Sequence, residues 1–335
     1  MAQALGLLIL SFIISSLLFV PYIDKLYQWN IRRQVQKTKD AFNKKTPIFD
    51  KFHNIKAGTP IAGGLLIIII VTILTLWSYG ILNMTPKIWE LFVILFAFLS
   101  FGILGALDDL KKIFGLKKEG FFGLRLRHKL IIQLVLALII GLVFYFKLGY
   151  TFVYIHWLGM LPVGPLFIFL AAFIIVAFTN AFNITDGLDG LSSGLLMICL
   201  TAFWAISATL LDATLGVFIA IWIGSLIAFL YFNVFPARIM LGDVGALSFG
   251  ATLAVVGLLT GKILAIAIIG GVFVFEVSSS LLQLLSKKLS GKKIFPVAPL
   301  HLYLQLKGWE EPKIVMRLWL IGVLFAILGL WIAVI

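Results

Sequence analysis

Ten stretches of about 20 mostly apolar residues recur along this 335-residue chain, a pattern that no soluble fold accommodates. A hydrocarbon layer about 30 Å thick takes roughly 20 residues of helix, and within it each backbone amide must find a partner inside the protein. Helical spans are therefore expected at 4–23, 60–79, 88–107, 130–147, 165–183, 194–210, 214–231, 245–261, 263–285 and 314–334. Composition agrees, since 62% of the residues are hydrophobic and only 12% charged, too few to coat a soluble globule. The expected fold class is an all-α polytopic membrane protein, with one integral membrane domain over 1–335.

An even number of spans returns both termini to one side. Segments 24–59, 108–129, 184–193, 232–244 and 286–313 then share a face, and 80–87, 148–164, 211–213 and 262 lie opposite. Of the 27 lysines and arginines, 24 fall on the first face when Arg317 is counted with it; Lys87, Lys147 and Lys262 are the rest. Cytoplasmic loops collect Lys and Arg, so the first face is expected in the cytoplasm and both termini outside. The net charge of +13 follows from this bias and from attraction to anionic lipid; without a recognition module, nucleic acid is not an expected partner. The same basic face would draw in an anionic soluble substrate. The single cysteine, Cys199, lies in a span, which removes a disulfide framework and a cysteine metal site. The first apolar stretch lacks a preceding basic segment and a clear cleavage site, and is read as a retained helix.

Five aspartates are expected on the cytoplasmic face. Asp108 and Asp109 follow the third span, at a helix C-terminus where the macrodipole favours cations, so something else must stabilise them. A bound hard cation or a substrate proton would serve, and so would neutralisation by Lys111 and Lys112. The run Asn180 to Gly190 sets Asn180, Asn183, Asp186 and Asp189 among glycines that let the backbone wrap a ligand; a tight turn with Asp189 as a helix cap is the plainer alternative. In Asn233 to Gly245, Asp243 is placed either as an N-cap or as a ligand, with Asn233 and Arg238 suited to phosphate or a base edge. His301 lies in a proline-stiffened segment and could hydrogen-bond, move a proton or play a structural part. Lys56 to Gly64 and Arg125 to Lys129 open spans, where basic residues serve either as topology signals or as anion sites.

In this order the segments 56–64, 108–109, 129–133, 180–190, 233–245 and 299–312 resemble those of the polyprenyl-phosphate N-acetylhexosamine-1-phosphate transferase superfamily. The run Leu306 to Pro312, with Arg317 and Trp319, is similar to its phospho-N-acetylmuramoyl-pentapeptide transferase (MraY) branch. The resemblance implies Mg²⁺-dependent transfer of phospho-MurNAc-pentapeptide from UDP-MurNAc-pentapeptide to undecaprenyl phosphate, giving lipid I and UMP. It also implies a bacterial inner-membrane homodimer with its active site facing the cytoplasm. Carried over by position, Asp243 would be the main Mg²⁺ ligand with Asp186 beside it, and Asp108 and Asp109 would handle the lipid phosphate or support the metal. Asn180, Asn183, Asp186, Asp189 and Asn233 would contact the nucleotide or order the metal site. Lys56, Thr59 and Lys129 would bind substrate, the lysines through phosphate, and His301 would position the donor. The chain departs from that branch at His301-Leu302-Tyr303, where three histidines are usual, at Gln305, where Glu is common, and in the displacement of the aromatic residue usual just before the Met-Gly-Asp segment, here Met240-Leu241-Gly242-Asp243. Rival expectations are a UDP-GlcNAc transferase of the same superfamily, a transporter and an inactive scaffold. Against a transporter, Glu276 is the one acid well inside a span, whereas five aspartates lie at the edge.

Overall fold

The computed structural model describes residues 2–35, 46–81, 85–114, 124, 126–155 and 159–335. Of the basic residues assigned to the cytoplasmic face, Lys37, Lys39, Lys44, Lys45, Lys117, Lys118 and Arg125 lie outside the described residues. The chain runs as helices α1 (Ala2–Gln28), α2 (Pro47–Asn54), α3 (Gly63–Ile81), α4 (Ile88–Phe114) and α5 (Leu126–Phe146), then a hairpin of β1 (Phe152–Ile155) and β2 (Gly159–Pro162). There follow α6 (Leu166–Thr185), α7 (Leu191–Thr209), α8 (Ala213–Asn233), α9 (Gly242–Leu259), α10 (Ile263–Ile269), α11 (Gly271–Ser290), α12 (Leu300–Leu306) and α13 (Glu311–Val334).

Among the described residues nine helices are long and apolar enough to cross a membrane, and the pair α10 and α11, bent by 78°, passes the same test only when the two are taken together. The expected straight span at 263–285 is therefore broken. Gly270 and Gly271 lie at the break, where neither residue offers a side chain to stiffen a continuous helix. The expected link at 148–164 contains an antiparallel hairpin, with Val153 opposite Leu161.

Helices α8 and α9 are apolar all round and occupy the centre, with 83% and 89% of their membrane windows buried by neighbours. Around them α1, α5 and α13 keep one lipid-facing side each, with about a third of each window or less buried. Phe98, Trp222 and Phe249 form the aromatic middle of the bundle, at centroid separations of 5.2 to 5.7 Å. At one end α4 and α9 come into backbone contact: Gly105 lies against the main chain of Asp243 and Val244, where any β-carbon would collide. That approach delivers the end of α4 to the start of α9.

Candidate active site

Asp108 and Asp109 are not in a loop. Helix α4 continues through them to Phe114, so the pair occupies its last turns, one face of which reaches the N-terminus of α9. There the first-turn amide of Val244 donates to Asp109 Oδ2 at 3.0 Å. A free helix N-terminus thus offsets the unfavourable dipole of α4. Asp243 is not the N-cap, a position held by Leu241; its carboxylate turns toward two lysines instead. Lys129 Nζ lies 2.6 Å from Asp243 Oδ2 and 3.0 Å from Asp108 Oδ2, and Lys112 Nζ lies 2.8 and 3.1 Å from the same two oxygens. Asn183 Nδ2 donates to the other Asp243 oxygen at 3.3 Å, and the Leu124 amide donates to Asp108 Oδ1. Three carboxylates and two ammonium groups, from α4, α5 and α9, leave one formal negative charge in surplus. With side-chain exposures of 4% for Asp108, 11% for Lys129 and 16% for Asp243, water screens the group poorly.

A second cluster gathers on the loop between α6 and α7. Lys56 Nζ donates to Asp189 Oδ1 at 2.7 Å, to the Gly187 carbonyl at 3.3 Å and to Glu311 Oε1 at 2.5 Å. Asp189 does not cap α7, whose N-cap is Gly190; its second oxygen accepts from the Ala237 amide at 3.0 Å. Asn233 ties loops together: its carbonyl oxygen accepts from Gly190 N and Ser193 Oγ, and its side-chain amide donates to Ile239 O. His301 is 1% exposed, with Nδ1 3.0 Å from Glu276 Oε2, while the Glu276 carboxylate also accepts the His301 amide at 3.2 Å. The opposite edge of the ring faces Gly187, where a β-carbon would strike Nε2.

Between the clusters lies Asp186, its Oδ1 accepting from Ser192 Oγ. Burial pushes this carboxyl up to about 7, and the charge of Asp243 adds to the rise. Arg33 also joins the clusters. Burial lowers its pKa, and the carboxylates of Asp186, Asp189, Asp243 and Asp109 oppose that shift. Its Nε is buried without a hydrogen-bond partner among the described residues, while Nη1 meets the Met240 sulfur at 3.5 Å.

The structure thus brings Asp108, Asp109, Asp243, Asn183 and Lys129 into one group, and Lys56, Asp189 and His301 around one loop with Asp186. Asn180 instead donates to Gln133 Oε1 at 2.8 Å. Thr59 contributes its backbone carbonyl, which accepts the Arg33 amide. Arg238 is exposed and packs over the Phe232 ring, 5.6 Å from its centroid. Among the described residues no group of three or more His, Cys, Asp or Glu side chains is spaced as a metal cage. Even so, two cations bridge anionic oxygens that converge from separate helices, and such all-oxygen donors suit a hard divalent ion.

A family model described as glycosyl transferase family 4 matches residues 91–261, half of the chain, and takes in Asp108, Lys129, Asn183, Asp189 and Asp243. The chain belongs to glycosyl transferase family 4. It is 36% identical over 333 residues to a phospho-N-acetylmuramoyl-pentapeptide-transferase of Bacillus pumilus, covering 98% of this chain and 97% of the relative. Proteins of the same name from Caldanaerobacter subterraneus and Shouchella clausii are 36% and 37% identical, over 92% and 98% of this chain and 91% and 97% of their own lengths. The superfamily resemblance is thereby borne out.

Four residues here escaped the sequence reading as site members: Lys112, Arg33, Glu311 and Glu276. Glu276 carried a usable signal, because an acid inside an apolar span needs a reason to be there. Glu311 and Lys112 stood within recognisable motifs but looked like flanking charge, and Arg33 was one basic residue among many in its loop.

Proposed function

We propose that this protein transfers phospho-MurNAc-pentapeptide from UDP-MurNAc-pentapeptide to undecaprenyl phosphate, yielding lipid I and UMP. The observation that carries the reading is the carboxylate and ammonium cluster of Asp108, Asp243, Lys112 and Lys129, in a chain aligned nearly end to end with transferases of that name. One phosphate must attack another, so the main obstacle is charge repulsion rather than proton removal. The acceptor phosphate is already ionised near neutral pH and needs no general base. Its oxygen attacks the sugar-bearing β-phosphorus, the bond from that phosphorus to the bridging oxygen breaks, and UMP leaves with the electron pair.

Lys129 and Lys112 supply positive charge where it builds, and Asp108 and Asp243 hold those ammonium groups in place. Mg²⁺, held by Asp243 with Asp186 near it, would neutralise diphosphate charge when bound. Asp109 is fixed by the Val244 amide and supports the same group. Asn180, Asn183 and the 186–190 loop, backed by Asn233 and His301, take the nucleotide end of the donor. We further infer a single transferase domain in a bacterial inner membrane, working as a homodimer, with this end of the bundle cytoplasmic and both termini outside. The one-sided distribution of Lys and Arg supports that orientation.

Leu302 is fully buried beside His301 and so offers no polar group to a donor, which makes sugar specificity the point to test. Purified protein given undecaprenyl phosphate, Mg²⁺ and either UDP-MurNAc-pentapeptide or UDP-GlcNAc should release UMP with the first donor only. Turnover with UDP-GlcNAc alone would move the protein to the sister activity, and silence with both would leave a scaffold.

A further inference from the structure

Lys56 was expected on phosphate, yet its three N–H donors each have an acceptor within the protein: the Gly187 carbonyl, Asp189 and Glu311. Glu311 Oε1 takes a second donor, the Asp189 backbone amide, at 2.6 Å. Asp189 and Glu311 lie 122 residues apart, and Glu311 and Lys56 lie 255 apart, so these bonds do not follow from local chain geometry. Glu311 stands in the first turn of α13, where the dipole stabilises an anion and fixes it on a rigid element. Its side chain is 10% exposed, matching Lys56 at 10% and Asp189 at 6%. At so low an exposure an ion pair resists screening and loses most of its value when one partner goes. On its other side the loop meets His301, backed by Glu276, so that Gly187 is held between two buried polar networks.

We propose that Glu311 is a positioning residue for the nucleotide donor: through Lys56 and the Asp189 amide it locks the 186–190 loop to the last helix in the shape that receives the donor. This rests on the reading above that the loop takes the nucleotide end. Glu311 does not touch the reacting atoms. It acts by removing loop freedom that donor binding would otherwise have to quench.

The test uses the full-length protein in detergent and the variants Glu311→Gln, Glu311→Asp and Lys56→Met. Amide hydrogen exchange of the segment around Asp189, without ligand, should quicken about tenfold or more in Glu311→Gln, since a neutral amide holds Lys56 less firmly. The donor KM should rise about tenfold, with kcat and the KM for undecaprenyl phosphate little changed. Glu311→Asp should recover part of the donor KM, and Lys56→Met combined with Glu311→Gln should be no worse than Lys56→Met alone. Unchanged exchange would refute the lock. Faster exchange with an unmoved donor KM, or equal weakening of both substrates, would reduce Glu311 to a structural role and overturn the proposal. If the wild type turns over no donor, the functional reading fails, while the exchange measurement still decides whether the lock exists.

Discussion

An ion cluster stands at each end of helix α4, and both carry the same formal surplus of one negative charge. At one end Lys87 bridges Glu90 and Asp212 at 3.1 and 2.8 Å; at the other Lys112 and Lys129 bridge Asp108 and Asp243, with Asp109 alongside. What separates them is how the carboxylates are used. Glu90 lies in the first turn of α4, and Asp212 caps α8 by accepting the Leu215 amide at 2.9 Å, so each stands at a helix N-terminus. Their lysine is 58% exposed and adds little. Asp108 and Asp109 sit at the opposite, unfavourable end of α4, and the lysines beside them are largely buried. Placing anions against a helix dipole and then burying two cations to hold them is costly for stability alone. The difference teaches that net charge alone does not mark a candidate site, whereas buried cations that tie carboxylates from separate helices together do.

The comparison breaks most visibly at Asp243. Replacing it with alanine should lower UMP release at least about 10³-fold, because both bridging ammonium groups lose their anchor together with the proposed metal ligand. Lys129→Met should cost about 10²-fold in kcat with smaller changes in either KM, measured by steady-state turnover, since its charge is needed mainly as the transition state forms. The Asp186 carboxyl, pushed up to about 7, is neutral below that pH and charged above it. Turnover at fixed Mg²⁺ should therefore fall about tenfold per unit as pH drops below about 7, and Asp186→Asn should be slow throughout and lack that step. The smallest effect belongs to the other end. Asp212→Ala should cost about 1 kcal/mol of stability through the lost cap, read from the unfolding transition, with turnover within about twofold of wild type.

Much of this arrangement was legible in the sequence, for identifiable reasons. Apolar runs of bilayer length fixed the helices, and the clustering of Asp108, Asp109, Asp186, Asp189 and Asp243 at their ends marked the candidate site. Boundaries were less legible: Asp108 and Asp109 looked like loop residues because polarity begins there, but α4 continues since their carboxylates find partners on other helices. The break at Gly270 and Gly271 was hidden inside a continuous apolar run, which constrains length but not direction. The pairing of Lys56 with Glu311 was hidden for a different reason. Pairing across 255 residues depends on how α13 docks, and no local pattern encodes that.

The most direct test places the two clusters in one assay: Mg²⁺-dependent UMP release from UDP-MurNAc-pentapeptide and undecaprenyl phosphate, measured for Asp243→Asn and Asp212→Asn in matched folded preparations. The account predicts near-complete loss in the first and activity within about twofold of wild type in the second. Substantial turnover by folded Asp243→Asn, or equal loss in both, would contradict it.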